Sequence, residues 1–196
     1  MKKKILSIMV SGFLVFTACE KQALNPDQDI SSLKKSAGNE LHQNNMSNNM
    51  NGMKVLNFRA HLSGDQEVPE AETNATGQAI FQLSKDGEEL SYKLIVANIE
   101  NVRMAHIHLA PEGVNGPVGV WLYPSAPPPQ LIEGVSNGIL AEGVITKDDL
   151  VGSLAGSELS ELVELMLEGG TYVNVHTNQY PAGEIRGQIF GNTKMH

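Results

Sequence analysis

The chain has 196 residues, with 14 basic and 22 acidic side chains and a net charge of −8. That balance argues against a nucleic-acid partner, because neutralising phosphates takes clustered lysine and arginine. One cysteine in the whole chain rules out a disulfide framework, which needs pairs.

The first residues read as a leader. Lys2, Lys3 and Lys4 precede an apolar run from Ile5 to Phe16, about a dozen residues and well short of the roughly 20 that span a bilayer. The small residues Thr17 and Ala18 then lead into Cys19. This arrangement resembles a bacterial lipoprotein signal, departing from it at Phe16, where leucine is usual. The resemblance implies that residues 1–18 are removed and Cys19 is lipidated, giving a membrane anchor at the new N-terminus. Losing three lysines and no acid would move the charge to −11. Glu20 replaces the aspartate associated with inner-membrane retention, so the expected location is the cell envelope, at the outer membrane or cell surface.

Residues 19–53 read as a flexible tether. "SSLKKSAGNELHQNNMSNNMNGM" is rich in Asn, Ser and Gly and has too little apolar surface to offset the entropy of ordering. His42, Met46, Met50 and Met53 could be taken for a soft-metal motif, but a polar linker carrying some methionines is the favoured reading.

Residues 54–192 read as one mainly β domain. In "VLNFRAHL", Leu56, Phe58, Ala60 and Leu62 alternate with Asn57, Arg59 and His61, the period of a half-buried strand. "GQAIFQLS", the turn "KDGEE" and "LSYKLIVANI" form a hairpin signal, since Asp-Gly accepts positive φ. "RMAHIHLA" and "GPVGVWLY" are further strands, and the proline-rich "PSAPPPQ" is a loop that cannot pair. "GVSNGILAEGVI" is a glycine-broken strand region; "TYVNVHTN" and "GEIRGQIF" close the domain. About eight short strands predict an antiparallel Greek-key β-sandwich or barrel. One short helical insert interrupts them. Leu159, Leu162, Val163 and Met166 have helical spacing, with Ser157 as the expected N-cap and Gly169 and Gly170 as the stop. "TKDD" from Thr146 has the pattern of a capping box.

Four separated stretches then take on a common meaning: "FRAHLSGDQEVPEAETNATGQAIFQL", "AHIHLAPEGVNGPV", "ITKDDL" and "YVNVHTNQYPAGEIRGQI". Together they resemble the CHRD domain, over roughly residues 55–190 and in the family's order. His61 is a departure from the opening "A-x-L-S-G" pattern. The module repeats in the animal protein chordin, an extracellular antagonist of growth factors, and occurs singly in bacterial secreted proteins. The resemblance implies a domain without a defined biochemical role, and chordin's partner does not carry over to a bacterial lipoprotein.

His106 and His108 lie two apart on a strand, so they project together, about 6.5 Å from each other. His176 sits on the polar face of "TYVNVHTN", opposite Val173 and Val175. Should the two strands be neighbours, three imidazoles could share one centre, a set suited to copper or zinc. A weaker likeness to copper/zinc superoxide dismutases, also β-sandwiches, follows the same order of motifs. It implies His106, His108 and His176 as copper ligands and Arg186 as an anion-guiding residue. The likeness breaks in "LAPEGVNGPVGVWLYPSAPPPQ", which has no histidine for a second metal, and in the absence of a cysteine pair. A dismutase is therefore not expected. The other reading is structural, with imidazoles tying loops to the sheet through Asn115, Thr177, Glu184 or Arg186. Glu184 and Arg186 could form an exposed ion pair or, with His61, flank the histidines as outer contacts.

Two functional readings remain from the sequence. The favoured one is a non-enzymatic, lipid-anchored binding module for a protein or glycan partner of unknown identity, using loops near Trp121, Tyr123 and Pro127 to Pro129. The alternative is a copper or zinc protein built on His106, His108 and His176.

Overall fold

A computed structural model describes residues 56–191. The expected leader, the lipidation site Cys19 and the tether with His42, Met46, Met50 and Met53 lie outside the described residues, as do residues 54, 55 and 192.

Strand β1 (Asn57–Ser63) buries Phe58, Ala60 and Leu62 and exposes Arg59 and His61, as its alternation predicts. It pairs along its whole length with β2 (Thr76–Leu83). The Asp86-Gly87 turn, with Gly87 at φ +80°, folds β2 back onto β3 (Leu90–Leu109). That strand is 20 residues long and joins two stretches that the sequence reads separately, "LSYKLIVANI" and "RMAHIHLA". Asn98 and Asn101, at φ 57° and 55°, sit where the two were expected to part. Asparagine tolerates this left-handed region, so the strand bends there without ending.

The bend lets β3 serve two neighbourhoods. Its first half lies between β2 and β5 (Ile132–Ile145); its second half lies between β4 (Val118–Tyr123) and β6 (Thr171–Thr177). β6 pairs with β7 (Ile185–Gln188), and β7 returns to β1 through Ser63 and Arg186. Strands β1, β2, β3, β6 and β7 therefore close a five-stranded antiparallel barrel. A short β8 (Phe190–Gly191) adds to β1. The strand count matches the expected eight because one long strand replaces two and "GEIRGQIF" splits into β7 and β8. "PSAPPPQ" connects β4 to β5 without joining the sheet.

Helix α1 (Leu159–Leu167) buries Leu159, Leu162, Val163 and Met166 in the same core as the barrel. The expected N-cap moves by one residue: Glu158 occupies it, with no side-chain cap bond, and Ser157 stands outside the helix. The stop is as read. Gly169, at φ +69°, donates to the Met166 carbonyl, and Gly170 donates to that of Leu165, the paired bonds of a Schellman motif. Thr146 heads a single 3-10 turn, Lys147–Asp149, closed by a capping box with Asp149.

The barrel wall carries two kinds of surface. Ile107, Val173, Val175 and Ile185 face the apolar core. On the opposite side of the same strands stand His106, His108, Tyr172, Asn174, His176, Arg186 and Gln188, all of them buried as well. Such a row would ordinarily meet water. Here loops cover it: Asn115 donates to the Val68 carbonyl, and the Tyr180 hydroxyl donates to that of Glu72.

Candidate metal centre

The pairing of β3 with β6 brings the three histidines together. Met104 stands opposite His176, His106 opposite Asn174 and His108 opposite Tyr172. One ring nitrogen from each of His106, His108 and His176 lies within 4.8 Å of the other two, and the ring centroids are 5.1 to 5.7 Å apart. The three residues are 2%, 8% and 5% exposed. The condition set by the sequence, that β6 neighbour the His-x-His strand, is therefore met.

The hydrogen bonds assign most of the tautomers. A carbonyl oxygen only accepts, so His108 Nδ1 donates to Gly116 at 2.9 Å and His176 Nδ1 donates to Pro181 at 3.1 Å. Both rings then carry their lone pair on Nε2. Such Nδ1-to-carbonyl bonds are how ligating histidines are commonly oriented. His106 Nδ1 lies 3.3 Å from His176 Nε2. Two nitrogens bound to one ion at about 2.0–2.1 Å stand about 3.3–3.6 Å apart at trigonal or tetrahedral angles, so this spacing suits a shared metal as well as a hydrogen bond. His108 Nε2 and His106 Nε2 are buried and have no hydrogen-bond partner.

The protonation state also suits ligation. Burial pushes His106 down to about 3, with its two imidazole neighbours adding to the shift. Burial likewise pushes His108 down to about 4 against the pull of the Gly116 carbonyl, and lowers His176 against that of Pro181. All three rings are neutral at pH 7, the form that coordinates metals.

The residues expected around the histidines are arranged differently. Arg186 is 1% exposed; it donates to Asn115 Oδ1 and to the carbonyls of Pro111 and Val114. Its guanidinium lies 3.5 Å from the Tyr172 ring centroid, and Tyr172 stacks on His108 at 5.0 Å and 9°. Arg186 therefore reaches the cluster through one intervening ring. Glu184 forms no exposed ion pair with it. The Glu184 carboxylate is buried and accepts from the hydroxyls of Thr73 and Thr177, pinning the 73–75 loop to the end of β6. His61 is not an outer contact of the group: its imidazole is exposed on β1, in register with Gln78. Asn115, Thr177, Glu184 and Arg186 do not bond the imidazoles; backbone carbonyls tie the rings instead. Trp121, half-buried on β4, makes a T-shaped contact with His106, centroids 4.2 Å apart.

Glu67 also belongs to this polar layer, and no periodicity in "GDQEVPEAE" marks it as buried. It is 6% exposed, its Oε2 accepts from Asn174 Nδ2 at 3.3 Å, and its Oε1 has no partner. Burial pushes its carboxyl up to about 7, while Arg186 and Asn174 pull in the other direction. Asn174 Oδ1 is also buried without a partner. A Cβ at Gly183, which has φ +137°, would collide with both side chains, so glycine is required there for the loop to close over them.

No curated protein and no solved structure matches the chain. The family model of the CHRD domain matches residues 58–189. That match runs from the first barrel strand to just past the last one and takes in all three histidines, so the chain belongs to the CHRD domain family.

Proposed function

We propose that this CHRD domain is a copper- or zinc-binding module whose ligands are His106, His108 and His176. One observation carries the reading: His108 Nε2 is buried and has no partner, although the other nitrogen of that ring is fixed by a carbonyl. The structural role of the imidazoles accounts for their Nδ1 bonds and leaves Nε2 of His106 and His108 unexplained. An orphaned acceptor in a dry site costs roughly 1–3 kcal/mol, and a metal ion would satisfy it. The chemistry supplied is binding; no nucleophile or proton-transfer group is required, and the module is non-enzymatic in this reading.

Metal analysis of the purified full chain tests it. The expected result is close to one equivalent of copper or zinc per chain, absent from His108→Ala and His176→Ala at unchanged far-UV circular dichroism. At a free ion concentration a hundred times Kd, binding adds about 2.7 kcal/mol to stability, visible as a raised Tm. A chain that is metal-free and takes up neither ion overturns the proposal. The leader motif supports a second element of the reading, that the module is held at the envelope surface by a lipid on Cys19.

A further inference from the structure

Resting on the metal-binding reading, we infer that the histidine group selects monovalent copper over zinc, with the Met104 thioether as an additional donor. Among the described residues, the metal-competent group contains three neutral imidazoles and no carboxylate or thiolate. An ion entering it keeps its full charge in a site where the ligand rings are almost wholly buried. The cost of desolvating an ion rises with the square of its charge, so a divalent ion is penalised about four times as heavily as a monovalent one. Arg186 adds to the difference. Its buried guanidinium lies behind Tyr172, which in turn stacks on His108, and it repels a divalent ion twice as strongly as a monovalent one. Glu67, the carboxyl group of the same layer, is engaged with Asn174 and stands outside the imidazole group.

Coordination preference points the same way. Zinc completes four ligands, commonly with a water when the protein supplies three. Here Trp121 packs on His106 and loops cover the face, which disfavours a water ligand. Copper(I) is satisfied by fewer donors and prefers soft ones, thioethers among them. Met104 is half-buried, lies on the same face of β3 as His106, and stands directly opposite His176 in register. Directly opposed residues have Cβ atoms about 4.5–5.5 Å apart, so the thioether is within reach of an ion held by His176.

The test titrates the full chain anaerobically with Cu(I) and, separately, with Zn(II), each against a chelator of known affinity, and then with both together. Wild type should hold one equivalent of Cu(I) more than His176→Gln, and equimolar zinc should not displace it. Comparing the two chains cancels any copper taken by Cys19 or the tether methionines. Met104→Leu, which keeps the apolar volume, should weaken Cu(I) about tenfold and leave Zn(II) unchanged. X-ray absorption of the copper-loaded wild type, where folding is not in question, should show imidazole nitrogen together with one sulfur neighbour that Met104→Leu loses. Zinc binding in preference to copper overturns this inference and leaves the metal-binding reading standing. Cu(I) affinity and sulfur signal unchanged in Met104→Leu overturn the thioether. A wild type that binds neither ion better than His176→Gln overturns both readings together.

Discussion

Glu67 and the three histidines are buried ionisable groups of opposite sign, and their titrations give opposite stability profiles. Burial raises Glu67 from 4.5 to about 7, so the folded chain holds that proton more tightly than the unfolded chain. Its contribution is complete below about pH 4.5 and is lost as pH rises through 7. Glu67→Gln keeps the shape and removes the titration. Relative to wild type, its stability should therefore rise by about 1–2 kcal/mol between pH 5.5 and pH 8.5, measured by urea denaturation at the two pH values. A constant difference would place the carboxyl in water. The histidines run the other way. Burial lowers His106 to about 3 and His108 to about 4, so the unfolded chain binds more protons. Their contribution is complete above about pH 6.5 and is lost as pH falls toward 3 to 4. The metal-free chain should lose stability below pH 6.5, and more steeply than His106→Gln does.

Strands and helix were legible where one residue pattern decided the matter. Alternation in "VLNFRAHL" and the Asp-Gly turn gave β1 and the β2–β3 hairpin, and the leucine spacing gave α1. Two boundaries went differently for local reasons. Asn98 and Asn101 adopt left-handed φ and carry β3 through a bend, where the sequence suggests a break. Ser157 yields the cap position to Glu158, whose side chain makes no cap bond. The helix stop rests on backbone conformation more than on a side chain. Gly169→Ala forces a Cβ into φ +69° and should cost about 1–2 kcal/mol, read as a lower urea midpoint with an unchanged slope. No loss would mean that the helix can end one residue away at no cost.

For the molecule as a whole, the proposed envelope anchor is independent of the barrel. The anchor rests on the leader and predicts that Cys19→Ser abolishes incorporation of labelled palmitate and moves the chain from the membrane fraction to the soluble one. A Cys19→Ser chain that stays with the membrane, or a wild type that takes up no label, would refute it. The barrel rests on pairings far apart in sequence. Composition, strand period and turn chemistry determined the mainly β class, the position of the helix and the parity that puts His106 with His108 and Asn174 with His176, because all of these depend on residues within a few positions of each other. Only the tertiary structure decided that β6 lies beside the second half of β3, that His176 faces the His-x-His pair, and that Glu67 and Arg186 are buried in one layer with them. Those outcomes depend on how the chain closes on itself and which loop covers which face, and no local pattern encodes either.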